Sequence, residues 1–303
     1  MSIADRTTAA AATPRPLREL APNARARGRT DAIMRAMLLF AVVLALVPLA
    51  LIIFVTLRAG LSAWNVEFFT QVSALSVRRA GGGYLHGIVG TALMVSIATA
   101  LAVPLGILAA VFLVEYRAHP LAPPIRFFTD VMTGVPSIFV GLFVYAALVL
   151  DLDLGFSTLA GAVSLAILML PIVVRSGEEI LKLVPQDLRN AAYGLGARRW
   201  QAVVKVVLPA AAPGLVTGSM LAVARAAGET APLLFTVLGA QEIVTALVGK
   251  AQTAVTLLTY EDARRPFAPA QARGWGGALL LMAIVLTFTV IARKISARAT
   301  VSR

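Results

Sequence analysis

No cysteine occurs in this 303-residue chain, and histidine occurs only twice. The first absence excludes thiol catalysis, thiolate-held metals and a disulfide framework. The two histidines, His86 and His119, lack the spacing of a metal pair. A G-x-x-x-x-G-K-S/T phosphate loop is missing, so ATP hydrolysis must come from another subunit if it is needed. The H-E-x-x-H, G-x-S-x-G and paired-aspartate signatures of membrane proteases are missing as well. Charge is scarce: 14% of residues are charged and 59% are hydrophobic. Soluble domains carry about 25% charged residues, so this balance places the chain in a membrane. The net charge of +12 could suit nucleic acid. The basic residues, however, collect between apolar runs rather than on one compact domain, so no nucleic-acid partner is expected.

A membrane span needs roughly 20 apolar residues. Six runs qualify: 36–57, 87–113, 127–150, 156–174, 212–238 and 274–291. The first is too long for a signal-peptide core and reads as an uncleaved span. The third is interrupted by Gly134-Val135-Pro136-Ser137. An apolar patch at 243–248 is too short to cross. Residues 1–33 are rich in Arg, Ala and Pro and read as a disordered basic tail. Residues 34–297 form one six-helix domain, and 298–303 a C-terminal tail. Eighteen Lys and Arg residues fall on one side of these spans and seven on the other. The excess marks the cytoplasmic side, which puts both termini in the cytoplasm. Gly81-Gly82-Gly83 lacks the Lys-Ser/Thr of a phosphate cradle and reads as a flexible hinge entering the second span.

Arg225 and Glu229 stand inside the fifth run. Ionisable residues at such depth are costly, face the interior of a bundle and mark substrate paths. Four residues apart on a helix, they project from one face near the bilayer midplane. A guanidinium offers a planar fork of donors that fits an oxyanion and stays charged when desolvated. The pair also reads as a structural ion pair, and the two roles are compatible. Pro232 is expected to kink this helix and free the carbonyl of Gly228. Arg175, at the end of the fourth run, has two readings: an exit-side anion contact, or an arginine snorkelling to the interface.

The segment 184–209 is patterned. Pro185 opens a helix over 186–195, Gly196 ends it, and a second helix over 197–208 is stopped by Pro209. Trp200, Val203, Val204 and Val207 form an apolar stripe beside Arg198, Arg199 and Lys205. Periodicity alone fits an amphipathic pair lying on the membrane. The residue identities fit a second reading. Asn190-Ala191-Ala192, then Gly196, then Val206-x-Leu208-Pro209 resembles the E-A-A, G, I-x-L-P loop of ABC importer permeases, with the spacing kept throughout. Asn190 replaces the acidic residue and Val206 the isoleucine. The resemblance implies a coupling helix, formed by Asn190, Ala191, Ala192, Gly196, Leu208 and Pro209, that docks on an ATPase subunit.

Further stretches resemble the A-type subunit of the phosphate-specific permeases. They are Gly87 to Thr91, Pro104 to Ala110, Glu115-Tyr116, Gly134 to Ile138, and Arg225 to Leu234 with the sequence RAAGETAPLL. The segment 239–273 matches least. This resemblance implies an all-α membrane protein with the type I ABC importer fold, in the bacterial inner membrane. It places Arg225, Glu229, Thr230 and Arg175 on a substrate pathway for inorganic phosphate. It implies a second, C-type permease, two ATPase subunits holding ATP and Mg, and an extracytoplasmic phosphate-binding protein as partners. No cofactor is expected on this chain. Another oxyanion, such as sulfate, molybdate or phosphonate, is the alternative substrate.

Overall fold

In the computed structural model the described residues are 24–301 except 75, 77 and 80, with side chains from Thr30 to Ile295. They form twelve α-helices: α1 (Ala24–Leu61), α2 (Val66–Thr70), α3 (Leu85–Glu115), α4 (Ala122–Gly134), α5 (Ser137–Val144), α6 (Thr158–Lys182), α7 (Gln186–Gly194), α8 (Arg199–Ala202), α9 (Leu208–Ala227), α10 (Leu233–Thr236), α11 (Val255–Arg264) and α12 (Ala268–Val301). Two π-helical stretches, Tyr145–Asp151 and Val203–Val207, extend α5 and join α8 to α9. The sole β pairing among the described residues is an isolated bridge between Leu238 and Gln252. Residues 1–23 of the expected tail lie outside the described residues, and α1 is already helical from Ala24. At the other end α12 continues to Val301, past the expected boundary at 297.

The chain divides after Phe54. The first unit is a helix that from Ala36 on is apolar on all sides and exposed, the pattern of a span that meets lipid or a partner. The second unit begins at Val55 and holds the core. There α3, α6 and α9 meet through small residues and single large ones in four-residue steps: Met94, Ala98 and Ala102 against Leu165, Met169 and Val173, with Ala222 and Ala226 alongside. Small side chains let helix backbones approach, which is how spans pack when lipid removes the hydrophobic drive between them. Gly161 meets Met94, Gly106 meets Val173 and Gly177 meets Ala110, always at the same sequence offset, so α3 and α6 run parallel. Parallel neighbours require a return crossing between them. The α4–α5 pair supplies it, bent by 105°. Gly214 meets Ile180 and Gly218 meets Ser176, so α9 runs antiparallel to α6.

Among the described residues five helices are long and apolar enough to cross a membrane, and the bent pair, counted as one span, makes a sixth. Two expected runs differ in detail. The third is two helices rather than one, because Pro136 forces Val135 into an extended conformation and cannot continue the ladder. The fifth is displaced toward its N-terminal side. One helical run covers Arg199–Ala227, with Pro209 inside it. Pro209 was expected to stop the helix. The wider π turn at Val203–Val207 lies directly before it and accommodates the missing hydrogen bond to Lys205.

The glycine triplet is not a hinge. Gly83 donates to the carbonyl of Val72 at 2.8 Å, and Tyr84 to that of Phe68 at 2.8 Å. Arg273 donates to the carbonyls of Arg79 and Gly81 at 3.2 and 3.3 Å. Asp262 collects Tyr84, Arg265 and Arg273 around one carboxylate. Burial, reinforced by the Asp262 charge, raises the Tyr84 phenol well above its ordinary pKa of 10.0, so it remains a donor. The segment 239–254 is irregular and fixed by Gln252, whose buried amide donates to Thr158 and to the carbonyl of Val244.

Close approach is sharpest at Gly90, where a Cβ would lie 2.1 Å from the carbonyl oxygen of Thr253; at Gly134 a Cβ would meet nothing within 4 Å. Gly90→Ala should therefore lower stability by about 1–3 kcal/mol, as overpacking does. Gly134→Ala should be neutral. Thermal unfolding of the two purified variants checks the contrast.

Candidate functional site

The break after α9 is built by the local sequence. Gly228 is a weak helix former, Thr230 is β-branched, and Pro232 disfavours helix at Ala231 before it. The helix accordingly ends at Ala227, and Gly228 and Glu229 donate back to Arg225 and Ala226 at 3.0 and 3.2 Å. Pro232 does not kink a continuing helix. It caps the short α10 instead. The break is held on two sides. Gly141 of α5 lies against the backbone of Pro232, where a Cβ would come within 2.6 Å. Thr256 of α11 donates to the carbonyl of Glu229 at 2.9 Å.

Arg225 stands in the last turn of α9 rather than in the middle of a helix, although it is level with the middle of α6. Its Nε lies 3.5 Å from Oε1 of Glu229, and the two side chains are 66% and 17% exposed. So loose and exposed a pair is worth well under about 1 kcal/mol. Glu229 therefore does not saturate the guanidinium, which keeps N–H donors free for an anion. The hydroxyl of Thr230 has no hydrogen-bond partner among the described residues, while its carbonyl accepts from Leu233 and Leu234.

Arg175 on α6 is paired with Asp130 of α4, and both are about half exposed. The glycine contacts between α6 and α9 place Arg225 level with Met169, six residues or about 9 Å along the axis from Arg175. The two arginines thus stand at different heights on neighbouring helices.

The other expected site lies at the opposite end of α9. Pro185 precedes α7, and Gly196 adopts φ +81° beyond its end, a conformation that favours glycine. Ala192 is buried, whereas Asn190 and Ala191 are exposed. Asn190 accepts from Gln186 of its own helix at 3.4 Å and bonds nothing on the spans. Leu208 and Pro209 lie in the continuous α8–α9 run rather than at its end. Leu195 is 90% exposed at the tip, with Trp200 and Tyr193 also outward.

Sequence reasoning missed what holds this segment. Arg189 is buried, its Nε 3.0 Å from Oε1 of buried Glu115 at the end of α3. Its other nitrogens donate to the carbonyls of Val184 and Leu181 at 2.6 and 3.1 Å. One guanidinium thus ties α7 to α3 and to the end of α6. A second clamp joins Arg126 of α4 to buried Glu178 of α6 at 2.9 Å, with Lys182 at 3.1 Å. The partners are far apart in sequence, and only the sign of the charges hinted at them. Removing one partner of a buried pair costs about 3–5 kcal/mol, because the other is stranded. Arg189→Ala should therefore open the 186–199 segment to limited proteolysis, while Lys205→Ala, an exposed change just beyond it, should not.

Residues 102–301 match the family of binding-protein-dependent transport system inner membrane components. A phosphate transport system permease protein PstA from Yersinia pestis is 42% identical over 249 residues, 82% of this chain and 83% of that protein. PstA 1 of Mycobacterium tuberculosis strain CDC 1551 / Oshkosh is 38% identical over 84% of each chain. PstA of Haemophilus influenzae is 37% identical over 83% of this chain and 88% of its own length. Among solved structures, the inward-facing MetNI methionine ABC transporter shares the fold, with a TM-score of 0.54 at 19% identity over 69% of this chain and 91% of that one. The chain belongs to the binding-protein-dependent transport system inner membrane components, and within them to the PstA permeases.

Proposed function

We propose that this chain is one permease subunit of an ATP-driven ABC importer that moves inorganic phosphate across the bacterial inner membrane. The observation that carries the reading is Arg225, a guanidinium with free donors at a helix break in a membrane-embedded fold. Charge in such a place must face protein or water rather than lipid, and an oxyanion is its natural ligand. The PstA relatives, named for phosphate transport, supply the substrate.

In this reading a second, C-type permease packs against the exposed faces, and one of the two ATPase subunits docks on α7 and its Leu195 tip. An extracytoplasmic binding protein delivers phosphate. ATP and Mg are held by the ATPase, and this chain contributes no catalytic group. Both termini are cytoplasmic, on the side marked by the Lys and Arg excess. Nucleotide-driven movement of α7 passes through Arg189 into α3 and α6. It passes also along the unbroken helix from Arg199 to Ala227, which ends where Arg225 stands. Arg225 takes phosphate while Glu229 weakens the hold, so that the ion can leave. Arg175, six residues lower, offers a second contact in competition with Asp130.

Uptake of labelled phosphate by the assembled transporter in vesicles tests this directly. Arg225→Gln should lower uptake at least about tenfold, the loss expected for one or two charge-assisted hydrogen bonds, while the subunits still co-purify. Unchanged uptake would remove Arg225 from the path. Unlabelled sulfate or molybdate that competes where phosphate does not would reassign the substrate to another oxyanion.

A further inference from the structure

At the end of the spans that carries α7, a cavity of about 580 Å³ opens between the C-terminal ends of α3 and α6 and the α7–α8 pair. Arg117, Lys182, Arg189 and Arg199 line it, with Glu115 as the one lining carboxylate. The charges do not cancel. Glu115 is committed to buried Arg189 at the floor. Lys182 is committed to Glu178 and Glu179 at 3.1 and 2.9 Å. Two guanidiniums are left on the rim. Arg199 has its Cζ 4.2 Å from the centroid of the Tyr116 ring and makes no side-chain hydrogen bond or ion pair among the described residues. Arg117 has no hydrogen bond or ion pair among the described residues. The Tyr193 side chain also lines the space.

We propose that this cleft binds a phosphate group of an anionic lipid headgroup or of free phosphate, separately from the transport path at Arg225. The chemistry is that of paired guanidinium forks around phosphate oxygens. The position fits a lipid source. The cleft sits where the apolar lengths of α3 and α6 end, and α3 leads toward it with outward Leu105 and Leu108. Basic pockets between spans at such a boundary take anionic headgroups. A ligand held by both rim arginines joins the end of α3 to the first turn of the α8–α9 helix. That adds a second brace to the one made by Arg189 and Glu115, so occupancy stiffens the link between α7 and the spans.

The test uses the full-length chain in nanodiscs and does not depend on any partner. Native mass spectrometry reads how much phosphatidylglycerol, against phosphatidylethanolamine, survives delipidation. Arg117→Gln with Arg199→Gln should cut retained phosphatidylglycerol about tenfold, with lysine at both positions restoring part of it and Lys205→Gln changing nothing. In a parallel arm, labelled inorganic phosphate is titrated in an Arg225→Gln background, where the path arginine is absent. Loss of phosphate binding in the double variant, with lipid retention unchanged, assigns the cleft to the free anion. If neither lipid retention nor phosphate binding differs between the double variant and the parent, the proposal is wrong. Should the double variant fail to fold, Arg117→Gln alone, on an exposed side chain without partners, gives the same readings at smaller amplitude.

Discussion

The buried pair of Arg189 and Glu115 is the interaction on which the working geometry depends. A short helix of nine residues has little stability of its own and cannot transmit force unless something fixes it. Arg189 does so with three separate bonds, to the end of α3 and to two carbonyls at the end of α6. Both carbonyls lie where a helix ends and acceptors outnumber donors; that of Leu181 also accepts a long bond from the Val184 N–H at 3.4 Å. The guanidinium therefore completes the end of one span, neutralises a carboxylate at the end of another, and positions the coupling segment by the same contacts. Because α3 and α6 are locked in parallel by glycine and alanine contacts, a displacement of α7 is felt by both together.

The second mechanical element is the unbroken run from Arg199 to Ala227. At 29 residues it is about 43 Å long, enough to reach from the coupling segment across a hydrocarbon core. Its far end is where the chain must stop being helical, and there Arg225 and Glu229 stand half released from the ladder. The arginine is thus attached to the end of a rod whose other end meets the ATPase docking surface in our reading. The break itself is held by Gly141 and Thr256, so it is a fixed corner rather than a loose loop.

Much of this was legible in the chain. Five of six apolar runs contain long helices, and the sixth is the bent pair that Pro136 announced. The E-A-A-like spacing located α7, and Gly196 has the positive φ that its position required. Two errors shared one cause. Proline was read as a local stop at Pro209 and as a kink at Pro232. At Pro209 a neighbouring π turn and a long packed helix overrode the local rule. At Pro232 the helix had already ended, because Gly228 and Thr230 weakened it first. The Gly81–Gly83 stretch misled similarly. The fold fixes the triplet: Gly81 and Gly82 hold positive φ values of 95° and 73°, and Gly83 uses its small size against the Glu67 and Phe68 backbone. The clamps of Arg189, Arg126 and Arg273 were invisible, since pairs such as Arg189–Glu115 depend on which helix ends meet in space.

The central claim is that the helix start beside the coupling segment, at Arg199, and the path arginine move as parts of one rigid helix. Spin labels at Trp200 and Leu221, both exposed, test it by pulsed distance measurement in the assembled transporter. The backbone separation should be about 32 Å and the same in the nucleotide-free and ATP-trapped states, whatever other distances change. A change of more than about 5 Å, one helical turn, would contradict the account, because the rod would then bend or unwind at its π turn instead of carrying the motion.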